Sequence, residues 1–327
     1  MPKIGFVTSW NEKCGVSEYS KTIVNGLISL GCEVSVVANY PKDQVEPDAS
    51  YVKRLFHVPF MTQQNFADVD GIVETLRTCD LIHVQFETNL YSPEWFIQLI
   101  VKLKTLGKPI VFTMHSSGMW QNFPVQLVDW FLSHTKMWCT NDVINFPVEF
   151  GIPCANPSRV LKSFGLGRNN SDHIRAAISG KSGNLSVDVG SPLNVGYETC
   201  YGTDKWRTKQ EIVDLISDSR GVALIYHPIG ATVSSSAAAF ALGTDRPLLV
   251  TNTGWFNHIL HYPGILVSEY GDIKALRENI EFVIDDNNSD YIKGEVELRK
   301  QRIIEDGWDL ESVCNKHLTI YKKLLQT

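Results

Sequence analysis

Ser234, Ser235 and Ser236 stand in a row before Ala237, Ala238, Ala239, Phe240, Ala241 and Leu242. Hydroxyls followed by strong helix formers mark a helix N-terminus, and Gly243 marks its end. Such an end presents N–H groups and the positive pole of the helix dipole, so an anion would sit well there. Small side chains would also let a ligand approach the backbone, although an ordinary well-capped crossover helix reads the same way. His115 is a second candidate, because it follows the strand-like Ile110–Met114 and precedes Ser116, Ser117 and Gly118. Ligands of open α/β sheets bind at that end of the strands. Arg168 adds one cation after the turn Gly165-Leu166-Gly167. His227, His258 and His261 could be brought together on a metal, but their order lacks ligand spacing, and the expectation is no metal site.

The elements that must position these groups alternate between strand and helix. Ile4–Val7 reads as a buried strand and Thr8–Gly15 as a loop. A helix follows with Val16, Tyr19, Ile23, Val24, Leu27 and Ile28 on one face, stopping at Gly31. Val34–Val37 then completes a βαβ unit, the opening of a doubly wound sheet. The loop holds Cys14-Gly15 but no G-x-G-x-x-G, which lowers a dehydrogenase reading sharply. Tyr40–Phe66, with Pro41, Pro47 and Pro59, reads as irregular. Beyond it come helix Val69–Leu76, strand Leu81–Val84, helix Pro93–Leu106, strand Ile110–Met114, helix Pro124–His134 and strand Met137–Thr140. The prolines of Ile152–Pro157 mark a linker. A second α/β series follows: strand Val160–Phe164, strand Leu185–Val189, helix Thr208–Ile216, strand Ala223–Tyr226, the serine-led helix, and strand Pro247–Val250. Strand Gly264–Val267 and helices Asp272–Ile284, Tyr291–Ile304 and Leu310–Leu325 end the chain.

Composition bounds the rest. At 327 residues, two domains are expected. Hydrophobic residues make up 43% and charged residues 20%, an ordinary soluble profile. A formal net charge of −6 gives no global attraction to nucleic acid or to an anionic membrane. The seven cysteines, Cys14, Cys32, Cys79, Cys139, Cys154, Cys200 and Cys314, are scattered and contain no C-x-x-C. That pattern suits reduced thiols in a cytoplasmic setting. A strand begins almost at once, so no signal peptide is expected, and no apolar run approaches the ~20 residues of a membrane span.

Several segments, in this order, resemble family 4 retaining glycosyltransferases of the GT-B fold. Cys14-Gly15-Val16-Ser17-Glu18-Tyr19 is similar to that family's glycine loop after the first strand. Cys79-Asp80-Leu81-Ile82-His83-Val84-Gln85-Phe86-Glu87 resembles its D-x-x-H-x-Q-x-E segment. Lys108-Pro109-Ile110-Val111-Phe112-Thr113-Met114-His115 is similar to its K-P-V-V-x-T-x-H strand. Lys162-Ser163-Phe164-Gly165 resembles the strand opening its donor domain, and Arg246-Pro247-Leu248-Leu249-Val250-Thr251 its G-x-P-V-I-x-T strand.

The resemblance implies two Rossmann-like, doubly wound parallel-sheet domains facing across a cleft. Residues 1–155 would take the acceptor, with helix 308–327 packing back on them, and residues 156–307 the donor nucleotide-sugar. It implies catalytic roles for His115, Gly15 and Glu18, with Gly15 approaching the donor and His115 hydrogen-bonding the sugar. Arg168, His227, Gly230, Ser234, Ser235 and Ser236 would bind the donor, and Glu87 and Trp120 the acceptor. One departure stands out. The family's E-x7-E motif falls on His227 and Ser234–Ser236, and no carboxylate occurs between Arg220 and Asp245.

The expected function is therefore metal-independent transfer, with retention, from a nucleotide-diphosphate sugar and with no cofactor. A glycan, a small molecule or a DNA base remains open as acceptor, and a homodimer as assembly. Two alternatives stand beside this. One is a DNA-modifying glycosyltransferase acting on a hydroxylated or hydroxymethylated base, with loops Tyr51–Pro59 and Met119–Phe123 taking a flipped nucleotide. The other is an inactive GT-B protein that binds a sugar nucleotide or scaffolds a partner.

Overall fold

The computed structural model describes residues 1–58, 66–87, 90–115, 136–139, 174–179, 185–188, 214, 216–226, 228, 238 and 241–326. In chain order the elements are β1 (Lys3–Thr8), α1 (Gly15–Ser29), β2 (Glu33–Tyr40), β3 (Val52–His57), α2 (Val69–Leu76), β4 (Leu81–Phe86), α3 (Pro93–Lys104), β5 (Ile110–Met114) and β6 (Lys136–Cys139). They continue with β7 (Ile174–Ser179), β8 (Leu185–Asp188), β9 (Ser219–Ile225), β10 (Leu248–Asn252), β11 (Ile265–Glu269), α4 (Ile273–Ile284), α5 (Ser289–Glu305) and α6 (Leu310–Leu325). The chain divides into two compact units, Met1–Cys154 with Leu310–Thr327, and Ala155–Asp309.

The first unit is a parallel six-stranded sheet in the order β3-β2-β1-β4-β5-β6. This is a doubly wound order whose switch point lies between β1 and β4. All six residues of β4 are buried, as befits a central parallel strand covered on both faces. One face packs Val7, Ile82, Val84, Phe86, Ile110 and Phe112 against α2 and α3 residues such as Leu76, Phe96 and Leu99. The other packs Ile4, Phe6, Leu81 and Val111 against α1 and α6, through Tyr19, Ile23, Leu27, Cys314, Leu318 and Tyr321. A Cβ at Gly26 would collide with the Cys314 thiol, so glycine is what lets α1 and α6 approach this closely. Local signals start the other helices: Asp68 caps α2 by accepting from the Gly71 N–H at 2.9 Å, and α3 opens on Pro93.

In the second unit, the sheet order is β11-β10-β9-β7-β8. Strands β9, β10 and β11 run parallel, and α4 covers Ala223, Ile225 and Leu249 with Leu276, Ile280 and Val283. The α/β class holds, but the expected all-parallel second sheet is corrected at one edge. There β7 is antiparallel to both β8 and β9. Residues 180–184, all that separate β7 from β8, are too few for the crossover helix that parallel neighbours need.

Two smaller corrections concern the first unit. The stretch Tyr40–Phe66, expected to be irregular, contains β3, whose Val-Lys-Arg-Leu-Phe-His sequence suits a partly exposed edge strand rather than a buried run. Ile28, placed by its period on the buried face of α1, is 38% exposed near the end of the helix. Helix Pro124–His134 and strand Val160–Phe164 lie outside the described residues. So do most of Thr208–Ile216 and of the serine-led helix; of the latter, Ala238, Ala241 and Leu242 are helical. Among the described residues no helix is long and apolar enough to cross a membrane.

Candidate functional site

Alternation along β4 and β5 puts His83 and Gln85 on the same sheet face as Thr113 and His115. The parallel register sets Gln85 beside Thr113, and the His115 N–H donates to the Phe86 carbonyl at 2.9 Å, carrying the ladder one residue past β5. His115 therefore sits half-buried at the C-terminal edge of the sheet. Its ring meets Tyr19 of α1 edge-on, with centroids 5.1 Å apart. Its Nε2 lies 2.8 Å from Gln85 Oε1. An amide oxygen only accepts, so Nε2 carries the hydrogen and Nδ1 is the accepting edge of the neutral ring.

Behind His115 a buried polar chain continues inward. Gln85 Nε2 donates to His83 Nε2 at 3.3 Å, and the Thr113 hydroxyl donates to the same nitrogen at 2.7 Å. The hydrogen of His83 is then on Nδ1, which is 2.6 Å from the Tyr321 hydroxyl of α6. Tyr321 in turn reaches His317 Nδ1 at 3.3 Å. His83 is fully buried, and burial first, then the charge of His115, pushes it down to about 3. It is neutral at any ordinary pH.

The second part of the site is the loop from β1 to α1. Trp10, Asn11 and Glu12 are buried, and Asn11 takes a left-handed φ of 50°, which asparagine tolerates. The Trp10 N–H donates to Asn39 Oδ1 at 3.2 Å, and Asn39 Nδ2 donates to both oxygens of Glu12 at 3.1 Å. Arg54 of β3 donates to the Trp10 carbonyl at 3.0 Å and to the Asn39 carbonyl, while its fork holds Asp48 at 2.8 and 2.7 Å. The loop is thus fixed where it delivers Gly15 to the start of α1, which has no side-chain cap from Cys14. Glu18 lies in the first helical turn, where a carboxylate complements the dipole. Burial, with help from Glu12, pushes the Cys14 thiol up, so it stays protonated and is no nucleophile.

Of the residues singled out from sequence, Gly15, Glu18, His115 and Glu87 come to this edge, from α1, β5 and the residue after β4. Arg168, His227, Gly230, Ser234, Ser235, Ser236 and Trp120 lie outside the described residues. At the corresponding edge of the second unit, the Thr251 hydroxyl accepts from the Tyr226 N–H at 3.0 Å and donates to its carbonyl at 2.9 Å. Sequence reading missed the parts played by Gln85, Tyr19 and Arg54. Gln85 lay in a quoted motif without a role, Tyr19 read as core, and Arg54 fell in the stretch expected to be irregular.

Residues 14–146 match the family model for Glycosyltransferase Family 4. By sequence the chain matches no curated protein. A glycosyltransferase from Rickettsia africae ESF-5 superposes with a TM-score of 0.66 at 13% identity, covering 100% of this chain and 99% of that one. An alpha-glucosyltransferase in complex with UDP and a 13-mer DNA containing a HMU base gives 0.61 at 12% identity, covering 100% of both chains. HepE of Anabaena in complex with UDP gives 0.56 at 10%, again over 100% of both. The fold is that of the GT-B glycosyltransferases, and the match to the family 4 glycosyltransferase model lies within the first unit.

Proposed function

We propose that this GT-B glycosyltransferase moves a sugar from a nucleoside-diphosphate sugar to an acceptor hydroxyl with retention, without a metal ion or a protein nucleophile. The observation that carries the reading is His115. It stands at the C-terminal edge of a doubly wound sheet, one strand beyond the switch point, with Nε2 committed to Gln85 and Nδ1 as its accepting edge. From there Nδ1 accepts from a hydroxyl of the transferred sugar. Gly15 admits the donor close to the first turn of α1, whose dipole favours the diphosphate. Arg168, His227, Gly230 and Ser234–Ser236 bind the rest of the donor, in residues 156–307, and Glu87 and Trp120 belong to the acceptor side, in residues 1–155.

In the reaction the bond from the anomeric carbon to the diphosphate oxygen breaks, and the acceptor oxygen bonds to the same face of that carbon. Its proton leaves with the diphosphate. The protein contributes positioning and stabilisation of the leaving charge. With serines where family members carry carboxylates, hydroxyls and the helix end take the anionic donor. Arg168→Ala should therefore weaken nucleoside diphosphate more than nucleoside, by roughly 1.5–3 kcal/mol. The deciding experiment incubates the purified chain with a panel of nucleotide sugars, with and without EDTA, and follows release of nucleoside diphosphate. Anomeric NMR of the product reads retention. Binding without turnover across the panel and acceptors would replace this reading with a sugar-nucleotide-binding protein.

A DNA base as acceptor is the second reading, favoured by the end-to-end likeness to an alpha-glucosyltransferase held on DNA. The net charge of −6 opposes it. Sugar transfer to duplexes carrying hydroxymethylated bases, and not to unmodified duplexes, would support it; equal inertness of both would remove it.

A further inference from the structure

On the face of β4 opposite His83 and Gln85 stand Ile82, Val84 and Phe86, none of which has a polar side-chain atom. The same apolar solution was open to the face under α1 and α6, since buried polar chains give little or no net stability over a packed apolar core. Instead that face carries a line of side chains whose hydrogens all run one way. His115 donates to Gln85, Gln85 to His83, His83 to Tyr321, and Tyr321 to His317. Every member but His115 is buried, and the line ends at the one ring that reaches the sheet edge. The geometry points to Gln85 as a positioning residue that fixes the ring and tautomer of His115, and is itself held by His83 and, through it, by Tyr321.

The fixing is specific in chemistry. Free imidazole carries its hydrogen on either nitrogen; an amide oxygen at Nε2 selects the Nε2–H form and leaves Nδ1 to accept. The Gln85 amide could turn over and offer its NH2 group, which would select the opposite tautomer. His83 opposes this, because its Nε2 is an acceptor, already taking a hydrogen from Thr113, and a turned amide would set the Gln85 oxygen against it. His83 Nε2 accepts only because its hydrogen is spent on Tyr321. A helix some 240 residues from His83 in sequence thereby determines which nitrogen of His115 carries the hydrogen.

The inference rests on the proposed sugar contact of His115, and its test separates the two. The ionisable groups around His115 are Tyr19 and Glu18 on α1, His83 on β4 and Glu87 after it; His83 does not charge in the working range. Gln85→Glu keeps an acceptor at Nε2 and adds negative charge, so His115 should hold its proton to higher pH, by about one unit. Neutral Nδ1 is required, so the acidic limb of kcat/KM should move up by the same amount. Gln85→Met keeps the shape and removes the acceptor. The Nε2–H tautomer should lose its dominance, and kcat should fall about tenfold with little change in KM for the donor. Nitrogen-15 NMR of the His115 ring, assigned with His115→Ala, reads tautomer and titration whether or not turnover is seen.

An unchanged tautomer in Gln85→Met together with an unchanged titration in Gln85→Glu overturns the proposal. So does a shifted ring with full kcat per folded molecule, if His115→Ala lowers kcat. Full turnover in His115→Ala would instead sink the sugar contact, and the NMR result alone then decides whether Gln85 holds the ring. Should Gln85→Glu not fold, Tyr321→Phe gives the second arm: it removes the hydrogen-bond partner that orients His83, and the tautomer of His115 should shift in part.

Discussion

Each unit buries a polar system that its core does not need for packing, the line from Tyr321 to His115 in the first and Arg299 in the second, and these two lie at opposite ends of the strands. In the first unit the line from Tyr321 to His115 emerges where the parallel strands end. In the second, Arg299 of α5 is fully buried and donates to the carbonyls of Thr244 and Arg246, both at 2.8 Å, and of Gly264 at 3.3 Å. Those carbonyls belong to the turns leading into β10 and β11, so Arg299 acts where strands begin. Burial pushes its guanidinium down to about 10, against the pull of Asp245, and it stays charged at neutral pH. A buried cation shared among carbonyls ties turns together; a buried neutral chain with one half-exposed end orients that end. Location relative to strand direction separates the two uses.

Arg299→Met tests the stabilising member. It keeps the stem and leaves the carbonyls without their donor, so unfolding free energy should fall by roughly 3–5 kcal/mol. Urea denaturation reads this, while kcat/KM per folded molecule should stay at the parent value. Lost activity at an unchanged urea midpoint would erase the contrast between the units.

Acid tests the neutral members in both units. His83 is lowered to about 3 and His258 to about 4, each chiefly by burial, and His317 is lowered as well. The unfolded chain takes up a proton on each ring near 6.5, before the folded protein does. Stability is therefore complete above that pH and is lost as pH falls toward 3 to 4. From pH 7 to 5, His83 and His258 should each remove about 2 kcal/mol. His258 stacks on Trp308 and its Nε2 has no partner among the described residues, so His258→Phe should flatten the pH dependence at little cost at pH 7. A His258→Phe curve parallel to the parent's would show that His258 is charged in the folded state.

How much of this was legible follows from where each signal resides. Strands β1, β4, β5, β9 and β10 announce themselves as apolar runs because both faces of a central parallel strand are covered. Strand β3 does not, since edge exposure leaves Lys53 and Arg54 in its sequence. His115 was legible because its place after an apolar run is a local property. The hold of Gln85 was not, since it depends on His83 meeting a tyrosine from the last helix. Arg299 was equally hidden, because a charge inside an amphipathic helix reads as solvated until the turns it serves are seen around it.

His115→Ala then measures the functional member directly. Loss of one contact to the transferred sugar should lower kcat/KM about tenfold or more, on the order of 1.4 kcal/mol, with Tm within a few degrees of the parent. A large drop in Tm with normal activity per folded molecule would make His115 a core residue and leave both buried systems purely structural.

The finest test sits beside Arg299 on the same helix. Lys300 reaches the same turn from outside, with Nζ 2.6 Å from Asp245 and 3.1 Å from Glu297. Its side chain is 30% exposed and Asp245 is 74% exposed. Water screens the pair, and holding two long side chains costs entropy, so Lys300→Ala should lower stability by less than about 1 kcal/mol. The loss should shrink further in 1 M salt, where the screening length is about 3 Å. The Arg299→Met loss should persist there, since its contacts are buried hydrogen bonds to neutral carbonyls. Equal losses for the two variants, both removed by salt, would mean that the turn is held by charge at the surface, and that the burial of Arg299 explains nothing.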